Sequence, residues 1–165
     1  MVDSSKTGKV MFSVVVPLYN EEESLKELHR RLTLVLPSLA DRFEIIFVDD
    51  GSTDNSFAVL ETIHEKDDRV KVIRFRKNFG KAPALSAGFK AAQGEIIITL
   101  DADLQDLPEE IPALVEKVEA GYDLVSGWKL KRKDPLLRKG ASRLFNYVTS
   151  FYTGVKLHDF NCGLK

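Results

Sequence analysis

The segment IIITLDADLQDLPEE, residues 96–110, runs a short β-branched, apolar stretch into three acids within six positions, Asp101, Asp103 and Asp106. An apolar run without alternation reads as a strand covered on both faces, the condition of strands in a parallel sheet. Carboxylates crowded at its end repel one another, which drives one toward protonation unless a cation lies between them. The pattern therefore expects either a metal at this strand end or an exposed turn.

Three further strand-like runs precede it, at 12–16, 43–48 and 70–75, with a weaker one at 124–126. Helical patterns lie between them. Residues 22–36 carry Leu25, Leu28, Leu32 and Val35 at three- and four-residue spacing until Pro37 stops the helix. Residues 53–65 open on a capping cluster of Asp, Ser and Thr. Helices at 83–92 and from Pro108 to about Ala120 each begin on a proline, tolerated in a first turn, and Gly121 ends the second. Strands alternating with helices predict an α/β fold, a mostly parallel sheet with helices on both faces. In such a sheet ligands sit outside the carboxyl ends of the strands, near the point where strand order reverses. Three loops of unusual chemistry occupy those ends: PLYNEEE after the first strand, DDGSTDNS after the second and DADLQD after the fourth.

At 165 residues, with 44% hydrophobic and 30% charged, the composition is that of an ordinary globular protein. The lone cysteine, Cys162, permits no internal disulfide and reads as a small packed residue. No apolar run approaches the roughly 20 residues of a membrane-spanning helix. The start, MVDSSKTGK, lacks an apolar signal core, so residues 1–10 are expected to be a flexible N-terminus or tag remnant. The net charge of −1 conceals a split: residues 1–125 carry 15 Lys and Arg against 23 Asp and Glu, whereas residues 126–165 carry 9 against 2. Seven cations concentrate in SGWKLKRKDPLLRKGASR, residues 126–143, which is a solvated face or a site for a charged group.

Asp101 and Asp103 flank a single alanine, so in extended chain they share a face, and Gln105 follows at the same two-residue step. Hard oxygen ligands of this kind suit Mg²⁺ or Mn²⁺, which keep waters and take further ligands from substrate phosphates. Spacing alone is equally that of an exposed turn. Asp49 and Asp50 precede a helix start where acids oppose phosphate binding, which favours hydrogen bonds to a base or ribose; the same residues also make a good turn and cap. Tyr19 beside Glu21 would make a shelf for a nucleobase. His29 and His64, among charged neighbours in helical patterns, are expected to face solvent.

The blocks VVVPLYNEEESL, EIIFVDDGSTDNS, NFGKAPALSAGF, GEIIITLDADLQDLPE, LVSGWKLKRKDPLLRKGASRLFN and DFNCGLK together resemble the family 2 glycosyltransferases of GT-A fold. Within these the chain is most similar to the polyprenyl-phosphate branch, the dolichol-phosphate-mannose synthase type and its bacterial glucosyl relatives. The likeness covers residues 11–165, taken as one GT-A domain. It implies a nucleotide-sugar donor, a divalent metal (Mg²⁺ or Mn²⁺) at Asp101, Asp103 and Gln105, and inverting transfer to a polyprenyl phosphate. The nucleotide would then meet Pro17, Tyr19, Glu21, Val48, Asp50, Lys81, Asp101, Ala102 and Asp103. The acceptor phosphate would meet Lys129, Arg132, Arg138 and Ser142, with Asp103, Lys129 and Arg138 carrying the chemistry. At Lys129 the family often has arginine, and lysine lacks its bidentate fork.

The resemblance also places the protein at the cytoplasmic face of a membrane, in cell-envelope chemistry, with a membrane surface and no nucleic acid as partner. Members of this branch continue beyond CGLK, often into membrane-spanning helices, so a longer protein is expected. Three alternatives stand beside it: a sugar-hydroxyl acceptor with Asp159 as base, a phospho-acceptor signalling module, and nucleotide binding without chemistry.

Overall fold

The computed structural model describes residues 11–127 and 163–165. The chain groups into two compact units, Met1–Pro112 and Ala113–Lys165. The first holds four strands, β1 (Phe12–Leu18), β2 (Phe43–Asp49), β3 (Val70–Arg74) and β4 (Ile96–Thr99). All pair in parallel, in the order β3-β2-β1-β4. Helices α1 (Leu25–Val35), α2 (Ser56–Lys66) and α3 (Lys81–Ala91) form the crossovers, and α4 (Ile111–Glu119) follows β4 after a 3-10 turn at Pro108–Glu110.

Every residue of β1 and β2 is buried, as unalternating apolar strands between two helical layers must be. On one face Val15, Ile46 and Val48 pack with Ala84 of α3. Helix and sheet approach there so closely that a Cβ on Gly88 would lie 2.3 Å from Val15 Cγ1. Because side chains alternate along a strand, Arg74 falls on the other face from Ile73, and its guanidinium stacks 4.0 Å over Phe57 of α2. The sheet is therefore covered on both sides, as expected.

Two polar residues inside this core, Ser13 and Glu44, explain how β4 is brought in. Ser13 Oγ donates to Glu44 Oε1 at 2.6 Å, and the same carboxylate takes Gln93 N–H at 2.7 Å and the Lys71 ammonium at 2.5 Å. Gly94 N–H donates back to Ser13 Oγ at 2.8 Å. These bonds pin the α3–β4 connection against β1 and leave the buried charge paired.

Element boundaries shift slightly. Helix α1 begins at Leu25 rather than Glu22 and α2 at Ser56 rather than Thr53, because residues 22–24 and 53–55 bond to one another instead of winding helically. Helix α3 starts at Lys81, which leaves Pro83 within the first turn, where no N–H is needed. The expected strand at 124–126 does not form; among the described residues Gly127 N–H donates to Leu164 O at 3.0 Å. His29 also departs from expectation. It is four-fifths buried, with Nε2 2.9 Å from the Asp67 carboxylate. His64 is exposed, its Nδ1 2.7 Å from Val70 O.

Asp67 ties α1, α2 and β3 together. The Arg69 guanidinium, bonded to both its oxygens, outweighs burial and, with His29, lowers its pKa to about 2. A carboxylate depressed on folding stabilises above its unfolded pKa and loses that contribution as pH falls through the folded value. The window is thus about pH 4 down to about 2. Since Arg69 is partly exposed, the contribution is on the order of 1–2 kcal/mol. Urea titrations of wild type and Asp67→Asn should differ by that amount at pH 6 and converge near pH 2; a gap independent of pH would refute the linkage.

Candidate functional site

The chain passes outward from β1 to β2 to β3, then returns to place β4 on the other side of β1. Strand order therefore reverses at β1, and the carboxyl ends of its neighbours flank a crevice there. Register fixes what lines it. Leu18 pairs with Asp49, and Asp50 N–H donates to Leu18 O at 2.9 Å. On the other side Val15 pairs with Thr99, and Leu100 N–H donates to Val15 O at 3.1 Å. Asp50 and Asp101 thus emerge on opposite sides of the end of β1.

A cleft of about 220 Å³ opens at this point, lined by Pro17, Leu18, Tyr19, Glu21, Asp50, Lys81, Asp101, Ala102 and Asp103. Eight of the nine residues expected to meet a nucleotide are gathered there. The ninth, Val48, is fully buried against α3, two residues before Asp50. Leu18 joins the lining without having been singled out; it fell inside the PLYNEEE block, and the structure makes it the last residue of β1. Gln105 does not line the cleft; its N–H donates to Asp103 Oδ1 at 3.0 Å. Lys129, Arg132, Arg138, Ser142, Asp159 and Cys162 lie outside the described residues.

The rim is rigid for reasons visible in its bonds. Asn20 sits at φ 57°, a left-handed geometry asparagine tolerates, and its Oδ1 accepts Thr53 N–H at 2.8 Å. Ser52 Oγ accepts Asn20 N–H, Ser56 Oγ accepts Glu21 N–H, and Glu22 Oε2 accepts Asn55 N–H at 2.7 Å. The loops after β1 and β2 therefore cap each other. Tyr19 stays 43% exposed, free to serve as a shelf.

Asp50 is nearly buried, and its two oxygens accept Phe79 N–H and Gly80 N–H, each at 2.7 Å. Sequence reading assigned it to a ligand or a turn; here it clamps the loop before α3. Asp49 is buried beside it, taking Ser52 N–H at 2.8 Å with Arg74 Nε 3.7 Å away. In the loop after β4, Leu104 is left-handed at φ 59°, a conformation that costs a leucine about 1–2 kcal/mol.

The lining carries four acids against one lysine. Asp101 already holds a cation, the Lys81 ammonium at 2.5 Å from Oδ1. Among the described residues no three His, Cys, Asp or Glu side chains gather as a complete metal site. Two carboxylates in an acid-lined cleft fit a hard divalent ion that takes its remaining ligands from water and a bound phosphate. The Lys81 ammonium marks the place where the field calls for positive charge.

A parallel sheet with a cleft of this kind at its switch point is the architecture of a ligand-binding α/β domain, and comparison narrows it. The profile for glycosyl transferase family 2 matches residues 13–164, and the chain belongs to that family. It is 46% identical over 93% of its length to an undecaprenyl-phosphate 4-deoxy-4-formamido-L-arabinose transferase of Pseudomonas fluorescens, 45% of which it covers. The chain thus spans about half the length of the curated relatives it matches. Among solved structures, glucosyl-3-phosphoglycerate synthase from Mycobacterium tuberculosis in complex with UDP superposes at TM-score 0.69 over 94% of this chain and 55% of that one, at 22% identity. A mannosyltransferase from Pyrobaculum calidifontis in complex with GDP-Man and Mn²⁺ superposes at 0.56 over 73% and 35%, at 24% identity. Both likenesses support the GT-A fold. No helix among the described residues is long and apolar enough to cross a membrane.

Proposed function

We propose that this chain is the donor-binding and catalytic part of a metal-dependent glycosyltransferase that moves a sugar from a nucleoside diphosphate to a polyprenyl phosphate, with inversion. The observation carrying the reading is the cleft itself, where Asp101 and Asp103 stand across from Tyr19, Glu21 and Asp50 at the strand-order switch. The relative named for an undecaprenyl-phosphate acceptor supports the lipid class. Tyr19 would seat the base, Asp50 would hold the loop that borders it, and Asp101 and Asp103 would hold Mg²⁺ or Mn²⁺, with Gln105 beside them. When bound, that ion would neutralise charge gathering on the departing nucleoside diphosphate.

The bond formed joins a phosphate oxygen of the lipid to the anomeric carbon. The bond broken is the donor's carbon–oxygen bond to its β-phosphate, whose electron pair leaves with the nucleoside diphosphate. A phosphomonoester with a second pKa near 6 is mostly ionised at pH 7, so no general base is required. Cations that orient it are required, and Lys129, Arg132 and Arg138, with Ser142, take that part. Their attraction to an anionic bilayer, about 1 kcal/mol per residue near the surface, would hold the reaction at the cytoplasmic face.

The test is calorimetric. UDP or GDP should bind with Mn²⁺ and lose most of that affinity in chelator. Asp103→Asn should remove the metal-dependent part while the melting temperature stays near wild type, since Asp103 is exposed. Equal nucleotide affinity with Mn²⁺ and with chelator would exclude the metal role.

A further inference from the structure

Lys81 is the first residue of α3, where the helix dipole disfavours a cation. Its side chain is half exposed and reaches across the cleft to Asp101. The other acids of the lining have different partners. Asp50 receives Phe79 and Gly80 N–H, Glu21 Oε2 receives Ser24 Oγ at 3.0 Å, and Asp103 Oδ1 receives Gln105 N–H. These four contacts are made within or between backbone-anchored loops. The partner of Asp101, by contrast, is the end of a flexible chain able to swing away by rotamer change alone.

From this arrangement we infer that Lys81 is the resident counter-ion of the cleft: it pairs with Asp101 in the nucleotide-free protein, leaves it when a divalent cation arrives, and turns its ammonium to the diphosphate. The inference rests on the metal-bridged donor reading above and adds a loading order to it. A divalent ion alone must displace an ammonium that then has no anion to meet, so it binds poorly. An ion arriving with a diphosphate offers Lys81 a new partner, so the two bind synergistically. Lys81 is on this account a positioning residue whose charge sets the coupling between metal and nucleotide.

Manganese binding, followed by loss of the free-ion EPR signal, reads this without turnover. Removing one positive charge beside a divalent site should make Lys81→Gln bind Mn²⁺ alone about tenfold tighter than wild type. With Mn²⁺ saturating, the same variant should bind UDP or GDP about tenfold more weakly, so that synergy collapses. Lys81→Arg, which keeps the charge, should retain wild-type weakness toward Mn²⁺ alone; a purely structural salt bridge would not separate the two variants. If Lys81→Gln and wild type take up Mn²⁺ alone equally, or neither takes it up, the counter-ion role is overturned. If Mn²⁺ binds tighter but nucleotide affinity is unchanged, the turn toward the diphosphate is overturned. Failure of the underlying donor reading shows elsewhere, in wild-type nucleotide affinity indifferent to chelator.

Discussion

Gly51→Ala is expected to destabilise the protein by roughly 3 kcal/mol, combining the 1–2 kcal/mol of a left-handed alanine with the 1–3 kcal/mol of an overpacked contact. Gly51 has φ +71°, and a Cβ there would lie 2.4 Å from Lys77 C, 2.6 Å from Lys77 Cα and 2.8 Å from Asn78 N. Backbone cannot yield as a side-chain tip can, so residues 77–80 must move. The same residues supply the Phe79 and Gly80 N–H groups held by Asp50, and Lys81 follows them into the cleft. Nucleotide affinity should therefore fall together with the urea midpoint. Gly51→Asn separates the causes, because asparagine tolerates the dihedral but keeps the collision. Gly80→Ala provides the control without collision: φ is +98° and ψ 163° with nothing within 4 Å, so strain acts alone and about 1–3 kcal/mol is expected. A Gly51→Ala midpoint equal to wild type would show that the two loops are not packed as described.

That collision marks the boundary of what could be read in advance. The strand runs, the helices and the three acid-bearing loops were legible because apolar periodicity and turn chemistry act locally. The gathering of Pro17, Tyr19, Glu21, Asp50 and Asp101–Asp103 was an expectation from the family resemblance, and the strand order that sets β4 beside β1 brings them around one cleft. What stayed hidden depends on distant partners. Nothing near Asp50 in sequence announces that its oxygens belong to residues 79 and 80, and nothing near His29 announces Asp67, 38 positions away. Charge among neighbours suggested an exposed histidine, but His29 is held by a hydrogen bond from α1 to Asp67 in the α2–β3 turn and is mostly buried. At Gln105 it is the assumed backbone geometry that differs. Its two-residue step from Asp103 assumed an extended chain, and the left-handed Leu104 between them breaks that geometry.

The largest expected effect lies with Arg138, whose proposed role rests on the family resemblance and the charge split. In a preparation that carries out transfer, Arg138→Ala should remove turnover while nucleotide binding survives, because the cleft proposed for the donor is lined, among the described residues, by residues between 17 and 103. A phosphate that loses one charge-assisted, bidentate partner forfeits about 1.5–3 kcal/mol, and the cost to rate is greater where orientation of the attacking oxygen is also lost. That corresponds to at least a ten- to hundredfold fall in kcat/KM, since every 1.4 kcal/mol is tenfold. The competing role for the same cation is adhesion to an anionic bilayer, where it would contribute about 1 kcal/mol and lose its importance once the bilayer is gone. Detergent micelles with a short-chain polyprenyl phosphate therefore decide between them. Loss of turnover that persists in micelles assigns Arg138 to the acceptor phosphate. Near-normal turnover there would remove that assignment and bring forward a sugar-hydroxyl acceptor, for which Asp159→Asn rather than Arg138→Ala should abolish transfer, because a hydroxyl nucleophile needs a base and an ionised phosphate does not.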